Sequence, residues 1–341
     1  MVWSPTRVSP EACSVLARHP TGLSPSPLPG GTANRGLVVR VGDTVRRPTA
    51  PCWPATHALL AHLARVGFDG APRVLAAGPV TETLTYIAGQ AAVPPLAEDT
   101  LTDAALISVA DLLRRYHLAA ASFDPSGYSW PRPIPARFRT GLVSHNDAHP
   151  ANLVFRDGRA VALIDFDWAG PGSAIWDFAA AARYWAPLQD EADITDSRQG
   201  RALDRFRILL DASGLRRADR RLVADAVVRN HDWTYAIVTE AAAAGHQGFA
   251  DHWRAVGESA ARARRWAQRH QRDLLTGYHD AVHEQTAALV SGVTDADLSR
   301  VVDERWDPPV TLGVRLISVI SDCLQHAGQA AFIRGILLRA G

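Results

Sequence analysis

A short segment in the middle of the chain, two apolar runs around an Asp-Gly pair, restricts the possible folds more than any other part of the sequence. The runs cover residues 153–155 and 160–164, and Asp157 and Gly158 lie between them. Aspartate and glycine tolerate the positive φ angles of a tight hairpin turn, so the pattern predicts two short antiparallel strands. Such a hairpin would hold Asn152 at the start of one strand and Asp165 at the end of the other.

Polar residues around this hairpin have the spacing that phosphoryl transfer from ATP requires. Asn152 follows Asp147 by five residues, and Asp165 comes directly after the second apolar run. In a kinase catalytic loop the aspartate accepts the proton of the acceptor hydroxyl, and the asparagine holds a magnesium ion. One amide and one further carboxylate are enough protein ligands, because magnesium keeps several of its waters. The sequence therefore predicts Asp147 as catalytic base, and Asn152 and Asp165 as magnesium ligands. Each residue alone is more often a cap or turn residue, but the joint pattern favours chemistry.

Residues 145–179 resemble the aminoglycoside phosphotransferase family, whose fold is similar to that of protein kinases. That family has a His-x-Asp-x-x-x-x-Asn loop, an Ile-Asp-Phe strand end and a downstream aspartate, which match His145, Asp147, Asn152, Asp165 and Asp177. The resemblance implies that His145 and Asp177 support the catalytic loop. It leaves two roles open for His149, which either faces the substrate or is satisfied by the backbone.

The resemblance also implies an α+β, two-lobed protein-kinase-like fold, with a small antiparallel β N-lobe and a mainly helical C-lobe. We expect the N-lobe at residues 1–89, the C-lobe with the catalytic loop and acceptor site at 90–272, and a C-terminal helical appendage at 273–341. The cofactors would be ATP and Mg²⁺.

Phosphate binding in the N-lobe cannot follow the usual pattern, because all 36 basic residues are arginine. A Walker-type phosphate loop needs a lysine, so kinases of that class are excluded. We expect Arg46 to replace the phosphate-binding lysine of the kinase-like fold, with Arg47 pointing to the opposite face by strand alternation. Gly30 and Gly31 lie upstream, in the order expected for the bend that covers the phosphates of ATP.

Two further N-lobe features follow from the resemblance. The family usually has a glutamate early in the next helix to pair with the lysine, whereas this chain has His57 in its predicted helix at residues 54–66. Thr85, Tyr86 and Ile87 correspond to the hinge, whose backbone groups meet adenine.

The acceptor site would be walled by helices predicted at residues 201–212, 217–244 and 247–270. A cationic aminoglycoside needs several carboxylates that converge on its amines. Asp232 and Glu240 are candidates, because they lie eight residues apart and roughly on one face of a helix. The alternative for both residues is a solvated surface.

The segment after residue 272 resembles the second half of DinB-like four-helix bundles, which often bind a divalent metal through three histidines. Asp322 and His326 are one helical turn apart, as are His279 and His283, so each pair could supply two ligands. The segment covers only about half of such a bundle, which disfavours a working metal site. Two helices cannot bury their apolar faces alone, so they should pack on the rest of the chain or form a homodimer.

Net charge, cysteine content and the N-terminal sequence bear on the partners and the location of the protein. A net charge of +1 gives no field that would steer the chain to nucleic acid or to a membrane surface. Three widely spaced cysteines and an N-terminus without an apolar signal-peptide core indicate a cytoplasmic protein. The predicted function is phosphorylation of a small-molecule hydroxyl, with an aminoglycoside-like antibiotic as the leading acceptor. The alternatives are a kinase of another small alcohol, such as a macrolide, sugar or amino alcohol, and a nucleotide-binding pseudokinase partner module.

Overall fold

The computed structural model describes residues 24–28, 32, 34, 36–274 and 286–340. These residues form two compact units, 24–274 and 286–340. Gly30, Gly31, His279 and His283 lie outside the described residues, so their predicted roles stay predictions.

The first unit begins with a five-stranded antiparallel sheet in the order β1-β2-β3-β5-β4. Its strands are β1 (Ser26–Pro27), β2 (Val39–Val41), β3 (Thr44–Pro48), β4 (Val74–Ala77) and β5 (Thr81–Thr85). Helix α1 (Trp53–Arg65) follows β3 and carries a proline in its first turn, where the missing N–H costs no hydrogen bond. Leu59, Leu60 and Leu63 are buried on one side of α1, as their spacing predicts.

Helix α2 (Asp103–Ala120) is the buried centre of the region after the sheet. The side chain of Thr102 caps it by accepting a hydrogen bond from the backbone N–H of Ala105. The predicted apolar positions of this helix have no exposed surface; they are Leu106, Val109, Leu112 and Leu113.

Five short strands next to α2 carry the catalytic segment. They are β6 (Gln90–Ala91), β7 (Leu142–Ser144), β8 (Leu153–Arg156), β9 (Arg159–Leu163) and β10 (Gly170–Gly172). Strands β8 and β9 form the predicted antiparallel hairpin, and Asp157 and Gly158 take positive φ angles of 51° and 68° in its turn.

Four helices complete the first unit: α3 (Ala174–Trp185), α4 (Ala202–Ala212), α5 (Arg217–Ala243) and α6 (Gln247–Arg269). Helix α5 packs against both α3 and α6. A small antiparallel sheet followed by a mainly helical region is the two-lobed, protein-kinase-like fold that the sequence predicts.

The second unit contains helical residues 286–291, α7 (Asp295–Leu298), the strand pair β11 (Val301–Asp303) and β12 (Val310–Thr311), and α8 (Leu312–Ala340). Asp303 is largely buried and binds Arg305 and Arg315 at 3.0 and 2.9 Å. Within the described part of the chain, no helix has the length and apolar content needed to span a membrane.

Candidate active site

The catalytic loop is held by a buried carboxylate, that of Asp177. Its oxygens accept hydrogen bonds from the backbone N–H groups of His145 (2.9 Å) and Asn146 (2.7 Å), and His117 Nε2 lies 2.9 Å away. The ring of His145 is buried, with Nε2 3.0 Å from the carbonyl oxygen of Ile164. This geometry agrees with the predicted supporting roles of His145 and Asp177. His117 is a further partner of Asp177, and the 60 residues between them in the sequence gave no signal for that contact.

Asp147 lies at the end of this supported loop. One of its carboxylate oxygens accepts a hydrogen bond of 2.8 Å from the side-chain amide of Asn152. Burial, assisted by the charge of Asp165, raises the pKa of Asp147 to about 7. The side-chain nitrogen of Asn152 donates this hydrogen bond, so the side-chain oxygen of Asn152 takes no part in it.

Asp165 follows β9 in a left-handed conformation, with φ of 62°. This conformation is uncommon for a residue other than glycine and marks positions where the surrounding structure fixes the backbone. One carboxylate oxygen of Asp165 is 2.8 Å from Arg47 Nη1. The hairpin therefore places Asn152 and Asp165 near one another, as predicted.

The arginine that faces this site is Arg47, so the prediction for Arg46 is wrong. Arg47 is buried, and its guanidinium binds Glu82 at 2.5 Å and Asp167 at 2.5 Å in addition to Asp165. Burial alone would lower the pKa of Arg47, but the charges of Asp167, Asp165 and Glu82 together raise it well above its ordinary value. Strand alternation is correct as a rule, but it does not say which face of β3 meets the C-lobe.

Glu82 also explains the absence of a glutamate in helix α1. It lies directly opposite Arg47 in the β3–β5 ladder and binds both that guanidinium and the ring of His57. The carboxylate partner of the N-lobe cation therefore comes from β5, and His57 contacts it from the helix. Glu82 was not among the predicted residues, although its position two residues before Leu84 puts both side chains on one face of β5 and was a signal for a buried carboxylate.

A cavity of about 460 Å³ lies between the sheet and the catalytic hairpin. Its lining includes the three predicted hinge residues and three residues of the polar cluster: Thr85, Tyr86, Ile87, Arg47, Asn152 and Asp165. Gly89 beside the hinge has φ of 143°, and a Cβ atom there would lie 2.5 Å from the carbonyl oxygen of Phe155. This volume is in the range of small-molecule sites, and the lining combines apolar side chains with the polar cluster.

These residues fit a magnesium–nucleotide complex. The amide oxygen of Asn152 and the carboxylate of Asp165 are hard oxygen donors of the kind that Mg²⁺ prefers. Arg47 adds a cation within reach of Asp165. Magnesium would neutralise charge on the phosphate oxygens when it is bound.

The two predicted substrate carboxylates are both engaged by arginines. Asp232 binds Arg264 at 2.5 Å, and Glu240 binds Arg132 through both oxygens, at 2.6 and 3.2 Å. Their charges are therefore compensated within the protein.

His149 lies two residues after Asp147 and packs edge-on against Tyr184, with ring centroids 4.5 Å apart. Its Nδ1 accepts a hydrogen bond of 3.1 Å from the backbone N–H of Ala151. One nitrogen is thus satisfied by the backbone, as one of the two predicted alternatives states.

In the second unit, His326 Nε2 lies 3.5 Å from Asp322, and both side chains are exposed. Among the described residues of the whole chain, no three His, Cys, Asp or Glu side chains form a group that could hold a metal ion.

Two family models match the chain. The model of the phosphotransferase enzyme family matches residues 128–209, which include the whole catalytic segment. The model of mycothiol-S-transferase matches residues 226–338, and so begins inside helix α5. The C-terminal segment is thus similar to a DinB-like family, as predicted.

The chain is 35% identical to the trifolitoxin immunity protein of Rhizobium leguminosarum bv. trifolii over 213 residues, which are 59% of this chain and 78% of that protein. Among solved structures it is similar to a choline/ethanolamine kinase family protein from Mesorhizobium loti, with a TM-score of 0.52, 19% identity, and coverage of 79% of this chain and 100% of that one. It is also similar to the amicoumacin kinase hAmiN in complex with AMP-PNP, Ca²⁺ and Ami, with a TM-score of 0.52, 13% identity, and coverage of 74% and 92%. At these identities the structural likeness concerns the fold.

Proposed function

Because this chain belongs to the phosphotransferase enzyme family, we propose that it transfers the γ-phosphoryl group of ATP, with magnesium, to a hydroxyl group of a small molecule. The observation that carries the proposal is the arrangement of Asp147, Asn152 and Asp165 next to the cavity that Arg47 lines. AMP-PNP in the similar amicoumacin kinase structure supports ATP as donor.

In the proposed reaction the acceptor oxygen bonds to the γ-phosphorus while the bond from that phosphorus to the β–γ bridging oxygen breaks. Asp147 takes the hydroxyl proton, and ADP carries away the bridging oxygen. A carboxylate with a pKa of about 7 is a stronger base than ordinary aspartate and still has a large ionised fraction at neutral pH. The amide of Asn152 fixes the orientation of this carboxylate, and Arg47 steadies the phosphate oxygens.

Two acceptor classes come from the sequence, a polycationic aminoglycoside and another small alcohol. We favour the second class, because Asp232 and Glu240 are already paired with arginines. The name of the trifolitoxin immunity protein suggests that the acceptor is a toxin or antibiotic against which the reaction protects the cell. We also propose a cytoplasmic location, because ATP is available there.

A pseudokinase is the second candidate, and the replacement of lysine by arginine favours it. A coupled assay of ADP release distinguishes the kinase from the pseudokinase. It is run with MgATP and a panel of aminoglycosides, macrolides, sugars and amino alcohols. Asp147→Ala should reduce acceptor-dependent turnover by about 100-fold or more and leave MgATP binding intact, because the base acts in the transition state. Asp165→Ala should instead weaken binding of the metal-nucleotide complex. Asp69→Ala, in an exposed side chain, is the control and should keep full turnover.

Full activity in Asp147→Ala would refute the mechanism. MgATP binding without turnover on any acceptor would favour the pseudokinase.

We also propose that the C-terminal helices mediate a homodimer. Apolar side chains on α8 are strongly exposed, among them Ile317 (69%), Ile320 (59%) and Leu324 (68%). These positions are three, four and seven residues apart, so they lie on one side of the helix. A second copy would bury them.

A further inference from the structure

A buried arginine lies in the helix that packs against strand β7, just before the catalytic loop. Arg183 is in helix α3, next to Tyr184, and its guanidinium lies 5.1 Å from the centre of that ring. Tyr184 in turn contacts His149, which is two residues from Asp147. The positive charge of Arg183 also opposes the effect of burial on the pKa of Asp147.

Among the described residues, this guanidinium donates hydrogen bonds to neutral groups. Its Nη1 donates to the side-chain oxygen of Asn230 at 2.6 Å and to the hydroxyl of Thr234 at 3.0 Å. In the same part of the chain its buried Nε has no hydrogen-bond partner, and the whole residue is 8% exposed. Across the residues that the structure describes, no carboxylate forms an ion pair with Arg183. By contrast, Arg264 on α6 and Arg132 in the segment before β7 each have a carboxylate partner.

Besides Asp147, the charge of Arg183 acts on two neutral histidines and a tyrosine. His149 accepts at Nδ1, so its proton is on Nε2 and can be donated outward. Burial lowers the pKa of His149 to about 4, so this ring is neutral at pH 7. His231 is 2% exposed and has no hydrogen-bond partner at either nitrogen, and the buried hydroxyl of Tyr235 also lacks one.

We infer that the acceptor bears an oxyanion, a carboxylate or a phosphate, and that Arg183 binds it while Asp147 faces the acceptor hydroxyl. The inference rests on the proposed function, because it names the chemistry of the acceptor of that site.

The physical argument concerns a buried charge that has no ion-pair partner among the described residues. A cation taken out of water loses much of its solvation, and neutral amide and hydroxyl groups offset only part of that loss. A bound oxyanion supplies the missing charge, and a guanidinium matches the geometry of a carboxylate or phosphate. A polycation would meet Arg183 with the wrong sign and would find Asp232 and Glu240 already occupied.

The test compares acceptor analogues that share one skeleton and differ in charge. Gluconate, glucitol and 1-amino-1-deoxyglucitol carry an anionic, a neutral and a cationic group; glycerate, glycerol and 3-aminopropane-1,2-diol form a smaller series. Glycerol 3-phosphate separates phosphate from carboxylate. Binding to the full chain is measured by calorimetry at pH 7.5 in the presence of MgADP, so the readout does not need turnover.

We expect the anionic member of a series to bind at least about tenfold more tightly than its neutral counterpart, which corresponds to about 1.4 kcal/mol. Arg183→Gln should abolish this preference, whereas Arg216→Gln, the same change at a side chain that is 84% exposed, should keep it. Arg183→Lys should keep part of it, because the charge remains without the planar fork.

Equal binding of the three members by the wild-type chain, or preference for the cation, would overturn the inference, even if Arg183→Gln failed to fold. Anion preference without Asp147-dependent turnover would leave the inference standing and reject the proposed function. Turnover of cationic acceptors with a KM that Arg183→Gln leaves unchanged would reject the inference and leave the proposed function standing.

Discussion

Replacing His231 by leucine should make the stability of the protein less sensitive to acid. His231 lies in α5, is 2% exposed, and has no hydrogen-bond partner for either ring nitrogen among the described residues. Burial, with smaller contributions from the charges of Arg183 and Arg264, lowers the pKa of His231 to about 2. This ring is therefore neutral in the folded protein at both pH 7.5 and pH 5.5.

The size of the effect follows from proton linkage. In the unfolded chain an ordinary histidine binds a proton below about pH 6.5, whereas the folded protein does not protonate His231 until about pH 2. The unfolded state therefore binds more protons in between, and the contribution of His231 to stability falls as pH falls below 6.5. From pH 7.5 to 5.5 this loss amounts to about 1.4 kcal/mol in the free energy of unfolding. The value does not depend on the exact folded pKa while that pKa stays below about 4.5.

The measurement is urea unfolding of wild-type protein and His231→Leu at pH 7.5 and 5.5, followed by tryptophan fluorescence. Trp176 and Trp233, both buried in the first unit, report its unfolding. Other titrating groups change the free energy of unfolding equally in both proteins. The pH-dependent change in the variant minus that in the wild type therefore reports on His231 alone. We expect the variant to gain about 1.4 kcal/mol relative to wild type on acidification. A double difference below about 0.5 kcal/mol, the usual limit of additivity, would refute the reasoning, as would one of opposite sign.

Two further predictions concern the N-lobe cation and the C-terminal helices. Arg47→Ala should lower the free energy of unfolding by about 3 kcal/mol, because Glu82 and two aspartates lose their buried counter-charge. Arg46→Ala should lower it by less than about 1 kcal/mol. Equal losses in denaturant unfolding would contradict the assignment of Arg47 as the inward-facing arginine. The double variant Ile317→Glu, Ile320→Glu should convert a dimer of the full chain to a monomer, as measured by light scattering. The control Arg216→Gln, at an exposed side chain, should leave the dimer intact. An oligomeric state that the double variant does not change would reject the dimer proposal.

The catalytic segment could be predicted from the sequence because its geometry is local. Asp147 and Asn152 share one loop, and Asp165 is brought near them by a hairpin whose turn is encoded by Asp157-Gly158. The helices could be predicted for the same reason, since apolar periodicity and end signals act over a few residues. Helix α1, for example, was expected at residues 54–66 and spans Trp53–Arg65.

The acceptor side could not be predicted in this way. Asp232 and Glu240 had the spacing of residues on one helix face, yet each is paired with an arginine on a distant part of the chain, 32 and 108 residues away. Arg183 gave no sequence signal, because an arginine inside an alanine-rich helix usually lies at the surface. Its burial depends on how α3 packs against α5.

The sequence by itself determined the catalytic loop, the hairpin, the order of the elements and the absence of lysine, because each is a matter of residue type and local spacing. Only the tertiary structure decided that Arg47 and not Arg46 meets Asp165, and that Glu82 takes the place of the missing helix glutamate. The reason is physical: period-two alternation separates the two faces of a strand, but the packing of the sheet on the helical lobe determines which face is buried. Packing likewise pairs Asp232 and Glu240 with arginines from distant parts of the chain, and it buries Arg183 without an ion-pair partner among the described residues.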